Sequence, residues 1–174
     1  MIRVGIVDDH AIVRSGLRQF LTEHVDLRVT GEANNGREAL ELARGGEVDV
    51  LLMDISMPEH GGVDALQAIK ARFPDLHVLI LSGFPEAQYA TTLLRHGASG
   101  YLNKECAPEE IVNAIRTVAR GRRYISPAVA ELLADGAVGE AERPLHELLS
   151  ERELQVFLRL AKGETIGHMA ENMF

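Results

Sequence analysis

The sequence predicts an α/β protein, a doubly wound, five-stranded parallel sheet with helices over both faces. Three observations lead there. Short runs rich in Val, Ile and Leu recur five times in the first 125 residues, and segments with helical spacing lie between them. Runs such as VLLM (50–53) are apolar throughout rather than alternating, as strands buried on both faces must be. Right-handed crossovers between successive strands then distribute the helices over the two faces of one sheet.

In chain order, strands are expected over 2–7 (IRVGIV), 27–33 (LRVTGEA), 48–53 (VDVLLM), 76–81 (LHVLIL) and 99–103 (SGYLN). Ile12, Val13, Leu17, Phe20 and Leu21 are expected to share one face of the first helix. Val63, Leu66, Ala68 and Ile69 mark the third helix; Ile111, Ala114, Ile115, Val118 and Ala119 mark the fifth. GEANNG (31–36) carries no Gly-Lys-Ser/Thr, so it reads as a turn before the second helix and not as a phosphate-binding loop.

After Tyr124-Ile125 the character changes. SPAVAELLADG (126–136) starts on Ser-Pro and stops on Gly, which predicts a short helix. DGAVGEAERPLHE (135–147) is polar and acidic, a linker. Ser150 and Glu153 then form a capping box ahead of the apolar stripe Leu154, Val156, Phe157, Leu160 and Ala161. Gly163 stops that helix, and Thr165 caps another that runs into the chain end. The expected division is 1–125, 126–148 and 149–174.

Composition narrows the function classes. With 174 residues, 46% of them hydrophobic and 25% charged, the chain holds one good-sized globular domain and part of a second. No run of 18 apolar residues exists, so no membrane span is expected, and a strand beginning at residue 2 leaves no room for a signal peptide. The single cysteine, Cys106, excludes an internal disulfide and fits a reducing compartment; a cytoplasmic location is expected. The net charge of −8 argues against a protein that coats nucleic acid, without excluding a small DNA-binding module.

The chemistry gathers at strand ends. In open α/β sheets ligands bind beyond the carboxyl ends of the strands, where strand order reverses. Asp8 and Asp9 follow the first strand and Asp54 the third. If those strands are neighbours, three acids crowd one pocket, at roughly 4 kcal/mol of repulsion per pair for ~4 Å and an effective dielectric of about 20. A divalent cation, Mg²⁺ for preference, would neutralise them; the alternative is that one acid keeps its proton. Ser82 follows VLIL at the end of the fourth strand, and Lys104 follows YLN at the end of the fifth. Metal, hydroxyl and ammonium around Asp54 would make a receptor for a tetrahedral dianion, with Asp54 as nucleophile. Singly, each residue has a plainer reading: Asp9, for example, could cap the first helix. His10 follows the acid pair and could touch the metal site, but reads first as a cap or as solvated; Cys106 reads as an unreactive thiol, and Arg120, Arg122 and Arg123 as a solvated helix end.

VDDH, MDISMP with its following GG, LS and YLNK resemble the receiver domain of two-component response regulators over residues 1–125. The resemblance implies a flavodoxin-like (CheY-like) sheet of order 2-1-3-4-5, with Asp54 accepting a phosphoryl group from a phosphohistidine on a sensor histidine kinase. It implies Mg²⁺ held by Asp9, Asp54 and the backbone carbonyl of Ser56, with Asp8 assisting through water. Lys104 and Ser82 would take phosphate oxygens. Tyr101 would act with Ser82 as a conformational switch, and Ser56 and Phe84 would flank the route of hydrolytic water and bear on phosphoryl lifetime. Self-phosphorylation from small donors and autodephosphorylation belong to the same picture. Glu105 stands where many receivers have a proline after the lysine, so a trans Lys104–Glu105 bond is expected.

Leu149, Ser150, Arg152, Glu153, Val156, Ala161 and Gly163 resemble the opening helix of a LuxR-type helix-turn-helix of the NarL/FixJ subfamily. Ile166, Gly167, His168, Met169 and Ala170 depart from the polar-Lys-Glu-Ile-Ala run usual there. The chain stops at Phe174, before a base-reading second helix, so a truncated, all-α and incomplete helix-turn-helix is expected, with no complete DNA-binding site. The full-length regulator would bind DNA and form a homodimer when phosphorylated. Two other readings compete. An Mg²⁺-dependent phosphohydrolase with an Asp nucleophile would want a second Asp where Ser56 stands. A phosphorylation-independent interaction module would tolerate loss of an acid or the lysine, and none is lost.

Overall fold

The computed structural model describes residues 1–57 and 62–138. Its five strands are β1 (Ile2–Val7), β2 (Leu27–Ala33), β3 (Val50–Met53), β4 (His77–Ser82) and β5 (Gly100–Asn103). Between and after them run α1 (Ala11–Thr22), α2 (Gly36–Arg44), α3 (Gly62–Arg72), α4 (Glu86–Arg95), α5 (Pro108–Val118) and α6 (Pro127–Val138). The sheet is parallel throughout, with order β2-β1-β3-β4-β5.

The central strands show why their sequence is apolar without alternation. Val50, Leu52, Leu79 and Leu81 point into one layer with Leu21 of α1 and Ile111, Ile115 and Val118 of α5. Leu51, Met53, Val78 and Ile80 point into the other, with Ala39 of α2, Leu66 and Ile69 of α3, and Leu93 of α4. Side chains alternate between two cores rather than between core and water.

Neighbours trim the expected elements. β3 begins at Val50, not 48, because its pairing with both flanking strands starts there, as Val4↔Val50 and Val50↔His77. β4 begins at His77 and includes Ser82, which pairs with Asn103. β5 begins at Gly100. Ile12 does not join the buried face of α1: it is 88% exposed, while Leu21 is buried. At 100° per residue it lies roughly 125° around the helix from the mean of Val13, Leu17, Phe20 and Leu21.

Of the GEANNG stretch, Gly31 to Ala33 close β2 and only Asn34-Asn35 form the expected turn before α2. The Asn35 side chain caps α2 by accepting from Glu38 N at 2.9 Å, and Glu38 Oε2 accepts in return from Asn34 N at 3.0 Å. α6 starts on Ser126-Pro127 as expected, but it runs through Gly136 to Val138, so the residues assigned to the start of the linker at 135 are helical. The remainder of the expected linker and the expected helix-turn-helix of 149–174 lie outside the described residues. Among the described residues every peptide bond is trans, Lys104–Glu105 included. No helix among them is long and apolar enough to cross a membrane.

Candidate functional site

Strand register builds the site. Val7 pairs with Met53, so the residues that follow, Asp8 and Asp54, leave the sheet side by side. The backbone reinforces the placement: Asp54 N donates to Val7 O at 2.8 Å and Asp8 N to Ala33 O at 3.1 Å. Across the sheet, Lys104 N donates to Ser82 O at 2.8 Å, which fixes the lysine where β4 and β5 end. Asp8 and Asp54 are each only 2% exposed, and Ser82 is fully buried.

The lysine then spans the pocket. Lys104 Nζ lies 2.7 Å from Asp8 Oδ2 and 2.7 Å from Asp54 Oδ2. Burial alone would lower its pKa, yet the charge of Asp54 and the two hydrogen bonds hold the ammonium above its ordinary value. Neutralisation of the acids was expected from a cation or a retained proton; here the protein's own ammonium supplies part of it.

His10 Nδ1 lies 3.1 Å from Asp8 Oδ1 and 2.9 Å from Asp9 Oδ1, so the residue touches the acid pair while its ring stays exposed to solvent as expected. His10 does occupy the cap position of α1, but without a side-chain cap bond. Asp9 is therefore not the helix cap, and its carboxylate is left to the pocket. Asp8 organises the turn, accepting His10 N at 2.8 Å through Oδ1, while Arg14 donates to the Asp8 carbonyl at 2.7 Å.

One ligand atom each from Asp8, Asp9, His10 and Asp54 falls within a set whose members all lie within 4.8 Å of one another. Asp9 Oδ1 is buried and makes no hydrogen bond, with His10 Nδ1 2.9 Å away. An orphaned buried carboxylate oxygen facing two further carboxylates suits a hard cation with oxygen ligands. Asp54 keeps its other oxygen tied back, with Oδ1 accepting Ser56 N at 2.9 Å. The glycine of α3 nearest the site is sterically required. A Cβ on Gly62 would sit 2.3 Å from Ile55 Cα and 2.8 Å from the Asp54 carbonyl oxygen.

Behind the acids lies a second layer. Ser82 Oγ accepts Phe84 N at 3.3 Å. The Phe84 carbonyl accepts Tyr101 Oη at 2.9 Å and Asn103 Nδ2 at 3.2 Å. Tyr101 is 1% exposed, inside the core rather than half-buried on β5. Burial pushes its phenol well above the ordinary value, with the Ser82 hydroxyl beside it acting the other way. Phe84 packs edge-on against Tyr89, with ring centroids 5.3 Å apart. Asp8, Asp9, Asp54 and Lys104 thus meet in one pocket, while Tyr101 joins Ser82 in the layer behind. His10 contacts the acids as its place directly after the pair allowed, although capping or solvation was the favoured expectation for it. Cys106 is an unpromising nucleophile: burial and the nearby Glu110 and Glu86 push its thiol up to about 11.

Comparison with known proteins agrees with this geometry. Residues 4–116 match the family described as the response regulator receiver domain. The response regulator UvrY of Escherichia coli (strain K12) is 39% identical over 175 residues, covering 99% of this chain and 80% of that protein. A LuxR-family two-component response regulator from Aurantimonas sp. SI85-9A1 superposes with a TM-score of 0.72 at 34% identity, covering 79% of this chain and 98% of that one. RcsB from Salmonella enterica serovar Typhimurium, solved bound to promoter P1flhDC with the phosphomimetic BeF3−, has a TM-score of 0.69 at 25% identity. That match covers 99% of this chain and 82% of that one. The chain belongs to the two-component response regulators of the NarL/FixJ type, in which a phosphoaccepting receiver domain controls transcription.

Proposed function

We propose that Asp54 is the phosphoacceptor, and that Lys104, Ser82 and the acid pair are the machinery that loads it. The observation that carries this reading is the single ammonium of Lys104, 2.7 Å from a carboxylate oxygen of both Asp8 and Asp54, joining residues 96 and 50 positions apart in sequence. A lysine already held against the Asp54 oxygen is placed to follow the charge when that carboxylate becomes an acyl phosphate.

In the transfer, an Asp54 carboxylate oxygen attacks the phosphorus of a phosphohistidine on a sensor kinase. The new O–P bond forms as the N–P bond breaks, and the electron pair returns to the imidazole of the donor. Asp54 Oδ1 is restrained by Ser56 N, which leaves Oδ2, the oxygen facing Lys104, as the nucleophile. Lys104 then pairs with a phosphoryl oxygen, and the buried Ser82 hydroxyl gives up Phe84 N to donate to another. Asp9, Asp54 and the Ser56 carbonyl, with Asp8 through water, would hold Mg²⁺, which supplies positive charge to the equatorial oxygens of the transferring group. Small phosphodonors would load the same oxygen, and water reaching it past Ser56 and Phe84 would unload it.

Because Tyr101 is already inside the core with its hydroxyl on the Phe84 carbonyl, its part in switching is to follow that carbonyl rather than to swing in from solvent. In the full-length regulator the response is homodimerisation and a change in the DNA-binding output. Cytoplasmic residence suits the reduced single cysteine.

Intact-mass measurement after incubation with a small phosphodonor, with Mg²⁺ or with EDTA, tests the assignment on wild type and Asp54→Asn. One phosphoryl adduct is expected, on wild type and with Mg²⁺ only. An adduct of equal yield on Asp54→Asn overturns it.

A further inference from the structure

The end of the described chain folds back on the receiver. Tyr124 extends the sheet by one parallel bridge to Gly100, with its N donating to Ser99 O at 2.9 Å. The approach is close enough that a Cβ on Gly100 would sit 2.8 Å from Tyr124 Cβ. Tyr124 Oη donates to Glu110 Oε1 at 2.6 Å, fastening the segment to α5. α6 then lies along α4, and Val129 enters the same apolar cluster as Tyr89, Ala90, Leu93 and Tyr101.

Ser126 joins two helix starts with one hydroxyl. Its Oγ accepts Val129 N at 3.3 Å, capping α6, and donates to Glu86 Oε2 in the first turn of α4. Glu86 is two residues beyond Phe84, whose N binds Ser82 Oγ and whose carbonyl binds Tyr101 and Asn103. Residues 82–86 are therefore a short strap. One end accepts the backbone N–H of Lys104, the middle is tied to β5, and the far end is tied to α6.

We propose that α6 is an autoinhibitory cover on α4, and that the Ser126–Glu86 hydrogen bond is the joint through which phosphorylation releases it. The proposal rests on Asp54 being the phosphoacceptor. Drawing the Ser82 hydroxyl onto a phosphoryl oxygen frees Phe84 N, shifts the strap, and displaces Glu86 from Ser126. α6 is suited to release, because among its described side chains only Val129 is buried. A hydrogen bond to a charged group is one of the contacts that hold it, beside Val129 in the apolar cluster. With the cover off, the side of α4 that α6 packs against is opened.

Hydrogen exchange of the 127–138 amides in the 174-residue chain tests the joint and its coupling separately. Without phosphodonor, Glu86→Ala is expected to speed exchange there roughly tenfold or more relative to wild type, the weight of one charge-assisted bond. Ser126→Asp keeps an oxygen to cap Val129 N but sets a second carboxylate against Glu86, so it is expected to do the same. Ser126→Thr keeps both contacts and should match wild type. Wild-type exchange rates in both Glu86→Ala and Ser126→Asp overturn the joint, as does loosening by Ser126→Thr equal to that of Ser126→Asp. With phosphodonor and Mg²⁺, and the adduct counted by mass on the same sample, wild type should exchange at the Glu86→Ala rate while Asp54→Asn stays slow. A full adduct with unchanged exchange overturns the coupling while leaving the phosphoacceptor reading intact. No adduct at all overturns that reading, and the coupling falls with it.

Discussion

Lys104 decides how the pocket survives its own charge. Asp8 and Asp54 are buried, and among the described residues Lys104 is the cationic side chain that pairs with both. Replacing it by the uncharged Lys104→Met should cost about 3–5 kcal/mol in EDTA, the usual penalty for leaving a buried charge unpaired. Mg²⁺ should then raise the melting temperature of the variant more than that of wild type, because no ammonium competes for the carboxylates. A variant that melts with wild type in EDTA, or gains no more from Mg²⁺, contradicts this account of the pocket. At this scale much of the site was legible. Asp8, Asp9, Asp54, Ser82 and Lys104 each stand at the end of a strand in a repeating series, so fold and site were read from one pattern. The contacts were not legible. That Lys104 reaches the acids rather than waiting for phosphate depends on register, and that Tyr101 is wholly buried depends on α4 and α6 closing over it.

At the scale of elements, the phosphoacceptor loop is set by how closely α3 approaches it. Gly62 packs its Cα against the backbone of Asp54 and Ile55, and no side chain is available there to move aside. Gly62→Ala should destabilise by about 1–3 kcal/mol as the loop and helix part, and it should reduce adduct formation on Asp54 through displacement of that carboxylate. Gly16→Ala in α1, whose Cβ would meet nothing within 4 Å, is the control and should stabilise by about 0.5–1 kcal/mol. Urea melts of both variants beside phosphorylation yields decide the matter; a Gly62→Ala as stable and as reactive as wild type refutes the close-approach argument. The strands were legible because short Val-, Ile- and Leu-rich runs recur between segments of helical spacing, too short to be helices themselves. Their ends were less so: the start of β3 is set by where β1 and β4 lie, and Val48-Asp49 looks no different locally. The exposed Ile12 and the passage of α6 through Gly136 mark the same limit, since burial and neighbours override a local hydrophobic or breaker signal.

Across the whole molecule the two edges of the sheet carry opposite electrostatic designs. At the carboxyl edge, acids converge on one another and on a single lysine. At the amino edge they are forked by arginine: Arg3 holds Asp49 through Nη2 at 2.7 Å and through its own backbone N at 2.8 Å, and Arg116 of α5 holds Asp26 through Nε at 2.8 Å and Nη2 at 2.7 Å. The hydrogen bond from Arg116 draws the Asp26 carboxyl from 3.8 down to about 2, and the one from Arg3 lowers Asp49 in the same way. A folded-state value below the unfolded one means stability present above about pH 4 and lost as pH falls toward 2. Asp26→Asn should therefore melt below wild type at pH 6, with a gap that closes as the pH is lowered through that window. Salt at 1 M should narrow the gap at pH 6, because the pair is exposed to solvent and the Debye length shrinks to about 3 Å. Thermal melts of the two proteins from pH 6 to pH 2 measure it directly. A gap that stays constant with pH would place the worth of the Asp26 contact in packing rather than charge, and would leave the amino edge without the electrostatic role that separates it from the acidic pocket opposite.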